Sequence, residues 1–314
     1  MKLLIYIPAF NEEKNIGGVL SELPDELEAI DEIKYLVIDD GSTDQTAGVA
    51  RSHGAEVISH PVNKGVGAAF HSAVDYALEN GADILVGIDA DRQFDPAEIS
   101  NLIEPIIEEN ADMVIGNRFR QGKPENMPTA KYLGNVLISK MINFVTGETF
   151  QDVSCGFRSY SREALFHFNL FGQFTYTHET ILSLSYKGLL IKERNIAVRY
   201  YKDRKSRVAS SLFRYASRTI KIILRSILDY KPLKFLGLLA GILLFSAICL
   251  ETVLFVHYFL TGSFTPYKSL GFIGLGFGFI GIMTLFIGLI TDILNRMRIN
   301  QDKILYEMKK SKYD

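Results

Sequence analysis

Cysteine is nearly absent: Cys155 and Cys249 stand far apart in a chain of 314 residues. They offer neither a disulfide framework nor the paired spacing of a metal site, and they fit a reducing compartment. An excess of either charge is lacking as well. The net charge is −2, so bulk electrostatics give no footprint for a nucleic-acid partner. No secretory leader is expected, because Met1–Lys2 leads straight into Leu3–Leu4–Ile5–Tyr6–Ile7–Pro8, too short for an apolar signal core. No Gly-x-Gly-x-x-Gly follows that first strand, which counts against a dinucleotide-binding oxidoreductase.

Charge is missing altogether from Leu270 to Ile290, and Leu233 to Leu260 is interrupted only by Lys234, Glu251 and His257. Each run can cross ~30 Å of hydrocarbon as a helix. Two buried helices of a soluble protein would need a surrounding core that the remaining sequence does not supply. The expectation is a transmembrane hairpin over 233–291, with spans at about 233–260 and 269–291, and then a basic tail over 292–314. Basic residues flank the spans on both outer sides, whereas the connecting turn has only Lys268. The positive-inside rule therefore puts both termini and the N-terminal domain in the cytoplasm, with the chain multi-pass in the cell membrane. Gly274 and Gly278, with Gly271 and Gly281 nearby, allow close approach of a helix. Its partner is either the other span or a second protomer, which leaves a homo-oligomer open.

Before the first span, residues 211–232 read as an interfacial helix. Arg214, Arg218, Lys221 and Arg225 make a basic stripe, and Leu212, Tyr215, Ile222, Ile223 and Ile227 interleave with it. Such a helix lies on anionic lipid.

Residues 1–210 alternate strand and helix. Strands are expected at Leu3–Pro8, Tyr35–Asp39, Ala55–Ser59, Ile84–Ile88, Met113–Gly116 and Ile196–Val198, with helices starting near Glu12, Thr43, Gly65 and Pro96. That rhythm predicts an α/β domain with a mostly parallel sheet. Such sheets bind ligands at the carboxyl ends of their strands. Asn11–Glu12, Asp39–Asp40 and Asp89–Ala90–Asp91 then all fall on one rim. In extended chain the side chains of Asp89 and Asp91 point the same way. Their hard oxygens suit Mg²⁺ or Mn²⁺ bridging to the pyrophosphate of a nucleotide-sugar. Lys64–Gly65–Val66–Gly67 opens a helix that could meet phosphate, though a tight turn explains it equally well.

Ile7-Pro8-Ala9-Phe10-Asn11-Glu12-Glu13, Val37-Ile38-Asp39-Asp40-Gly41-Ser42-Thr43-Asp44, Asn63-Lys64-Gly65 and Asp89-Ala90-Asp91 with Gln93 stand in this order and spacing. As a set they resemble the inverting glycosyltransferase family 2. Together with the hairpin they resemble its polyprenyl-phosphate branch, the dolichol-phosphate mannosyltransferase and bactoprenol glucosyltransferase group, over essentially the whole chain. The resemblance implies a GT-A fold in which Pro8, Ala9, Asn11, Glu12, Asp39 and Asp40 line the nucleoside pocket and Asp89, Asp91 and Gln93 hold the metal. It places Arg118 and Lys64 with the donor phosphates and Lys131 with the acceptor phosphate. Lys205 and Arg207, in the basic loop 200–207, would close on phosphate, or that loop is a solvated linker. Phe94–Asp95–Pro96 departs from the proline- or histidine-rich stretch that relatives often have after the glutamine.

Asp91, Asp152 and Glu179 are the candidate catalytic acids by the same resemblance, while His178 reads as a packed core residue. An acceptor phosphate is already largely ionised near neutral pH, with a second pKa of about 6. A nucleophile that arrives as an anion needs no strong base, so Asp152 and Glu179 are expected to orient rather than deprotonate. The implied activity is transfer of a hexose from UDP-glucose, UDP-N-acetylglucosamine or GDP-mannose to polyprenyl phosphate at the cytoplasmic face. A hydroxyl acceptor on a glycolipid or polysaccharide is the alternative, and would make Glu179 the base. A non-catalytic membrane adaptor is the third reading, and the intact Asp89–Ala90–Asp91 argues against it.

Overall fold

The computed structural model of the chain describes residues 1–169, 176–200 and 232–313. The interfacial-helix stretch 211–231 and the candidate residues Lys205 and Arg207 lie outside them. The chain divides into two compact units, Met1–Ile222 with Leu305–Asp314, and Ile223–Ile304.

The first unit is built on a seven-stranded sheet: β1 Lys2–Ala9, β2 Glu32–Asp39, β3 Glu56–Ser59, β4 Ile84–Gly87, β5 Met113–Asn117, β6 Arg158–Ser161 and β7 Ile191–Asn195. Their spatial order is β3-β2-β1-β4-β6-β5-β7. β1 pairs parallel with β2 and β4, β2 with β3, and β5 with β7, whereas β6 is antiparallel to both of its neighbours. The all-apolar run of β4 is buried on both faces, as a central strand requires.

The helices are α1 Ile16–Ser21, α2 Thr46–Ser52, α3 Val66–Glu79, α4 Ile99–Glu109, α5 Thr129–Thr146, α6 Arg162–Phe166 and α7 Tyr176–Tyr186. In α3, Ala69, Phe70, Ala73, Val74 and Ala77 recur at helical spacing and are buried. Asp95 accepts a hydrogen bond from the Ala97 N–H (3.1 Å) and Pro96 opens the following 3₁₀ turn, as the capping pattern predicts.

Two strands correct the expectation. β6 is short and polar, Arg-Ser-Tyr-Ser, so no hydrophobic run announces it. The last strand lies at Ile191–Asn195 rather than Ile196–Val198, and Val198 makes only an isolated bridge with Phe94. β7 is an edge strand carrying Lys192, Glu193 and Arg194, and that polarity hides it.

The two expected spans are helices, α8 Pro232–Thr261 and α9 Lys268–Tyr313, and the second unit holds both up to Ile304. Helix continues without a break from the second apolar run through the basic tail. In each most apolar window only 17% is buried within this chain, and both helices are long and apolar enough to cross a membrane. The glycine stripe faces α8 of the same chain. A Cβ at Gly271 would meet Leu254 at 2.5 Å, one at Gly274 the Glu251 carboxylate at 2.7 Å, and one at Gly281 Leu244 at 2.9 Å. The close approach is thus satisfied inside the hairpin and does not itself call for a second protomer.

Gly87 leaves room for the Tyr6 ring, which a Cβ would meet at 2.5 Å. Gly87→Ala should therefore destabilise the sheet by about 1–3 kcal/mol through overpacking, read as a lower unfolding temperature of the purified chain in detergent.

Candidate active site

All strands but β6 run the same way, so the carboxyl ends of β1, β2, β4, β5 and β7 share one rim. Because β6 runs against them, the segment that enters it, residues 151–157, reaches that rim too.

On the β1–β2 side, two turns lock into each other. The Asn11 N–H donates to Ser42 Oγ (2.9 Å), the Thr43 N–H donates to Asn11 Oδ1 (2.9 Å), and the Glu12 N–H donates to Thr46 Oγ1 (2.8 Å). Asp39, 5% exposed, accepts from the Ser42 N–H (3.0 Å). Pro8 is half-buried, and Ala9 and Glu12 are buried beside these turns. Asp40 is committed to the fold. It accepts from the backbone N–H groups of Lys64 (2.9 Å) and Gly65 (2.7 Å) and bonds His60 Nδ1 (2.7 Å), while His60 Nε2 meets Ser72 Oγ (2.9 Å). Asp40 thereby pins the turn before α3 and leaves the Lys64 side chain exposed. This network of Asp40, His60 and Ser72 carries no short-range signature that sequence could have shown.

At the end of β4 the chain turns at Ala90–Asp91. Asp89 and Asp91 are half-buried and Ala90 between them is buried. Asp91 Oδ1 accepts from the Gln93 N–H (3.1 Å), and the Gln93 carbonyl accepts from the Arg199 N–H (2.9 Å). Opposite Asp89 stands Gly156, where a Cβ would lie 3.4 Å from both carboxylate oxygens. The hard carboxylate oxygens of Asp89 and Asp91 are of the kind that suits a small oxygen-seeking cation. Among the described residues no group of three or more His, Cys, Asp or Glu forms a closed cage.

One cation, Lys131, is within electrostatic reach of this pair, and a second, Arg118, of Lys131. Lys131, in the first turn of α5, has its pKa lowered by burial and by Arg118, opposed by the attraction of Asp91, Asp89 and Asp152. Its Nζ lies 5.1 Å from the centre of the Tyr200 ring. Arg118, just beyond β5, is bidentate on Asp152, with Nε–Oδ2 at 2.6 Å and Nη2–Oδ1 at 2.9 Å, and its Nη1 donates to Tyr200 Oη (3.1 Å). Burial works against the Arg118 charge, but Asp152 outweighs it and holds the guanidinium's pKa well above its ordinary value. The pair is 7% and 0% exposed.

Asp152 is therefore occupied with Arg118 and has no open face toward the rim. Its loop is held from behind by Glu193, which accepts from the N–H groups of Gln151 and Asp152 (2.9 Å each). The fully buried Arg158 donates to the carbonyls of Val153 (2.7 Å), Cys155 (2.6 Å) and Thr177 (2.6 Å). Sequence reasoning missed the roles of Tyr200, Glu193 and Arg158. A buried arginine in the C-G-F-R segment was the one available signal. Glu179 lies on α7 within electrostatic reach of His71 on α3, whose pKa burial lowers against the opposing pull of Asp75 and Glu179. His178 is a core residue. Burial, aided by Arg158, pushes its pKa down to about 3.

The family profile described as "Glycosyl transferase family 2" matches residues 4–167. The chain is 36% identical to the UDP-N-acetylglucosamine–dolichyl-phosphate N-acetylglucosaminyltransferase of Methanococcus voltae, over 52% of this chain and 71% of that one. It is 32% identical to the undecaprenyl-phosphate mannosyltransferase of Micrococcus luteus, over 52% and 68%. Among solved structures, glucosyl-3-phosphoglycerate synthase from Mycobacterium tuberculosis, in complex with UDP, superposes with a TM-score of 0.57 at 23% identity. That match covers 72% of this chain and 79% of that one. At that identity the likeness concerns the fold.

Asp152→Asn should lower stability by about 3–5 kcal/mol, because it strands a buried guanidinium. Arg118→Met combined with Asp152→Leu should recover much of it, as measured by thermal unfolding. His178 gives a second expectation. Between its ordinary value of 6.5 and about 3, the unfolded chain binds the extra proton, so stability falls as pH drops through that window. His178→Asn should flatten this part of the stability-against-pH curve.

Proposed function

The chain belongs to glycosyl transferase family 2, and from that premise we propose that it moves a hexose from a nucleotide diphosphate sugar to polyprenyl phosphate at the cytoplasmic face of a membrane. The observation that carries the acceptor half is α5. Its first turn brings Lys131 to the acids of the rim, and the opposite side of the helix exposes Leu133 (59%), Leu137 (60%) and Phe144 (89%) along one stripe. In this reading the cation takes the phosphate on the inner side of α5, and the apolar stripe on its outer side offers a surface to the lipid. The two apolar helices α8 and α9 supply the membrane setting, and the basic residues outside them support a cytoplasmic catalytic unit. The two relatives differ in sugar and share a lipid phosphate in their names, which supports the acceptor class and leaves UDP-glucose, UDP-N-acetylglucosamine and GDP-mannose as donors to test.

The chemistry asks little of a base. An acceptor phosphate oxygen attacks the anomeric carbon as an anion, the bond from that carbon to the diphosphate oxygen breaks, and no proton has to leave the nucleophile. Positioning and charge stabilisation then dominate. Asp89 and Asp91, with Gln93 beside them, would hold Mg²⁺ or Mn²⁺, and that cation when bound supplies Lewis-acid neutralisation of the leaving diphosphate. Lys131 sets the acceptor phosphate. Arg118, fixed by Asp152 and Tyr200, holds the positive wall of the site rather than reaching freely for a ligand. Asp39 and the locked turns at Asn11 and Glu12 form the nucleoside side.

Membranes containing the full chain, given each labelled donor with polyprenyl phosphate and Mn²⁺, should form an acid-labile labelled lipid from one donor. Asp91→Asn should reduce that product about 10²–10³-fold, the size expected for losing a main charge-stabilising group. Glu179→Gln should cost less than about tenfold, since no general base is required. Label found only in acid- and alkali-stable glycolipid or polymer, with near-total loss in Glu179→Gln, would replace the phosphate acceptor by a hydroxyl. Leu137→Glu should raise KM for the lipid and leave KM for the donor unchanged.

A further inference from the structure

The last turns of α9, from Leu305 onward, belong to the same compact unit as the sheet. Tyr306, Lys309 and Tyr313 are half-buried while the residues between them are exposed, the spacing of one helical stripe laid on a surface. That surface is α6 and the turn after it. The Tyr306 ring stacks on His167, 4.5 Å between centres and 19° from parallel, and its hydroxyl donates to Glu163 (2.9 Å). Lys309 Nζ donates to the Phe168 carbonyl (2.6 Å), and Arg162 Nη2 donates to the Tyr313 carbonyl (2.6 Å).

Phe168 is the inner end of this contact. Only 3% exposed, its ring stands edge-on to Phe70 at 5.3 Å. Phe70 in turn stacks on Tyr176, at 4.4 Å and 15°. The Tyr176 hydroxyl accepts from that of Tyr6 (3.1 Å) and donates to the Gly156 carbonyl (3.5 Å). Gly156 is the residue that faces the Asp89 carboxylate. Close-packed rings transmit displacement because no void absorbs it.

We propose that residues 305–313 brace the catalytic unit, fixing Phe168 and, through the ring column Phe168–Phe70–Tyr176, the ground on which Asp89 stands. Tyr306 and Lys309 are positioning residues in this scheme and touch no substrate. The inference rests on the reading of Asp89 as a metal-holding carboxylate.

The test uses the full chain in detergent as wild type, Tyr306→Ala, Tyr306→Phe and Lys309→Met. Amide hydrogen exchange is followed, and Mn²⁺ alone is titrated by electron paramagnetic resonance. Tyr306→Ala and Lys309→Met should speed exchange in Tyr176–Tyr186 and weaken Mn²⁺ binding about threefold to thirtyfold, the range for residues coupled through packing. Tyr306→Phe keeps the ring stack and should recover most of the affinity. Unchanged exchange in Tyr176–Tyr186 overturns the brace, and faster exchange with wild-type Mn²⁺ affinity overturns its link to Asp89. If the wild type binds no Mn²⁺, the metal reading falls by itself and exchange alone decides the brace. If Tyr306→Ala does not fold, Lys309→Met carries the same readouts.

Discussion

The ion pair between Arg118 and Asp152 joins the end of β5 to the loop that enters β6, across 34 residues of chain. At 7% and 0% exposure, neither charge could stay in place alone, since an unpaired buried ion costs several kcal/mol after all relaxation. The bidentate geometry also leaves the guanidinium little freedom. Glu193 and Arg158 then hold the same loop from two further sides, by its N–H groups and its carbonyls. The result is a firmly held wall in which Gly156 faces Asp89.

Against that wall the rim is electrostatically balanced. Two carboxylates from the end of β4 attract Lys131, and Tyr200 lies against both Lys131 and the buried Arg118. A site of this kind meets phosphate groups with preorganised charge, so little reorganisation is required when they bind. Asp40, Asp152 and Glu179 have the chemistry of catalytic acids. The fold employs the first two as structural acceptors and sets the third beside His71. What remains at the rim is suited to stabilising charge and orienting ligands, which matches the needs of a nucleophile that arrives ionised.

Much of the fold was legible because the relevant signals are local. The runs Leu3–Pro8, Tyr35–Asp39 and Ile84–Ile88 are short, β-branched and followed by polar turns, and each became a strand ending at the rim. Asp95–Pro96 announced its own cap, and the two apolar stretches announced their helices. β6 and β7 were hidden or displaced because both are polar: one is stabilised by its two neighbours in the sheet, the other lies at an edge where polar side chains meet water. The glycines of the second span were legible as a close-packing face, but whether they met the other span or another chain depended on Leu254, Glu251 and Leu244 lying opposite them.

Sequence by itself determined that acids and amides would gather at the carboxyl ends of several parallel strands, and that two helices could enter a membrane. Both follow from hydrophobic period and length, properties of neighbouring residues. Tertiary structure alone decided where each acid is placed. Asp89 and Asp91 remain at the rim, Asp152 is taken by Arg118, Asp40 by the turn before α3, and the basic tail ends on α6 instead of standing apart. The physical reason is that a buried polar group must find a partner, and that partner is selected by packing between segments tens to hundreds of residues apart.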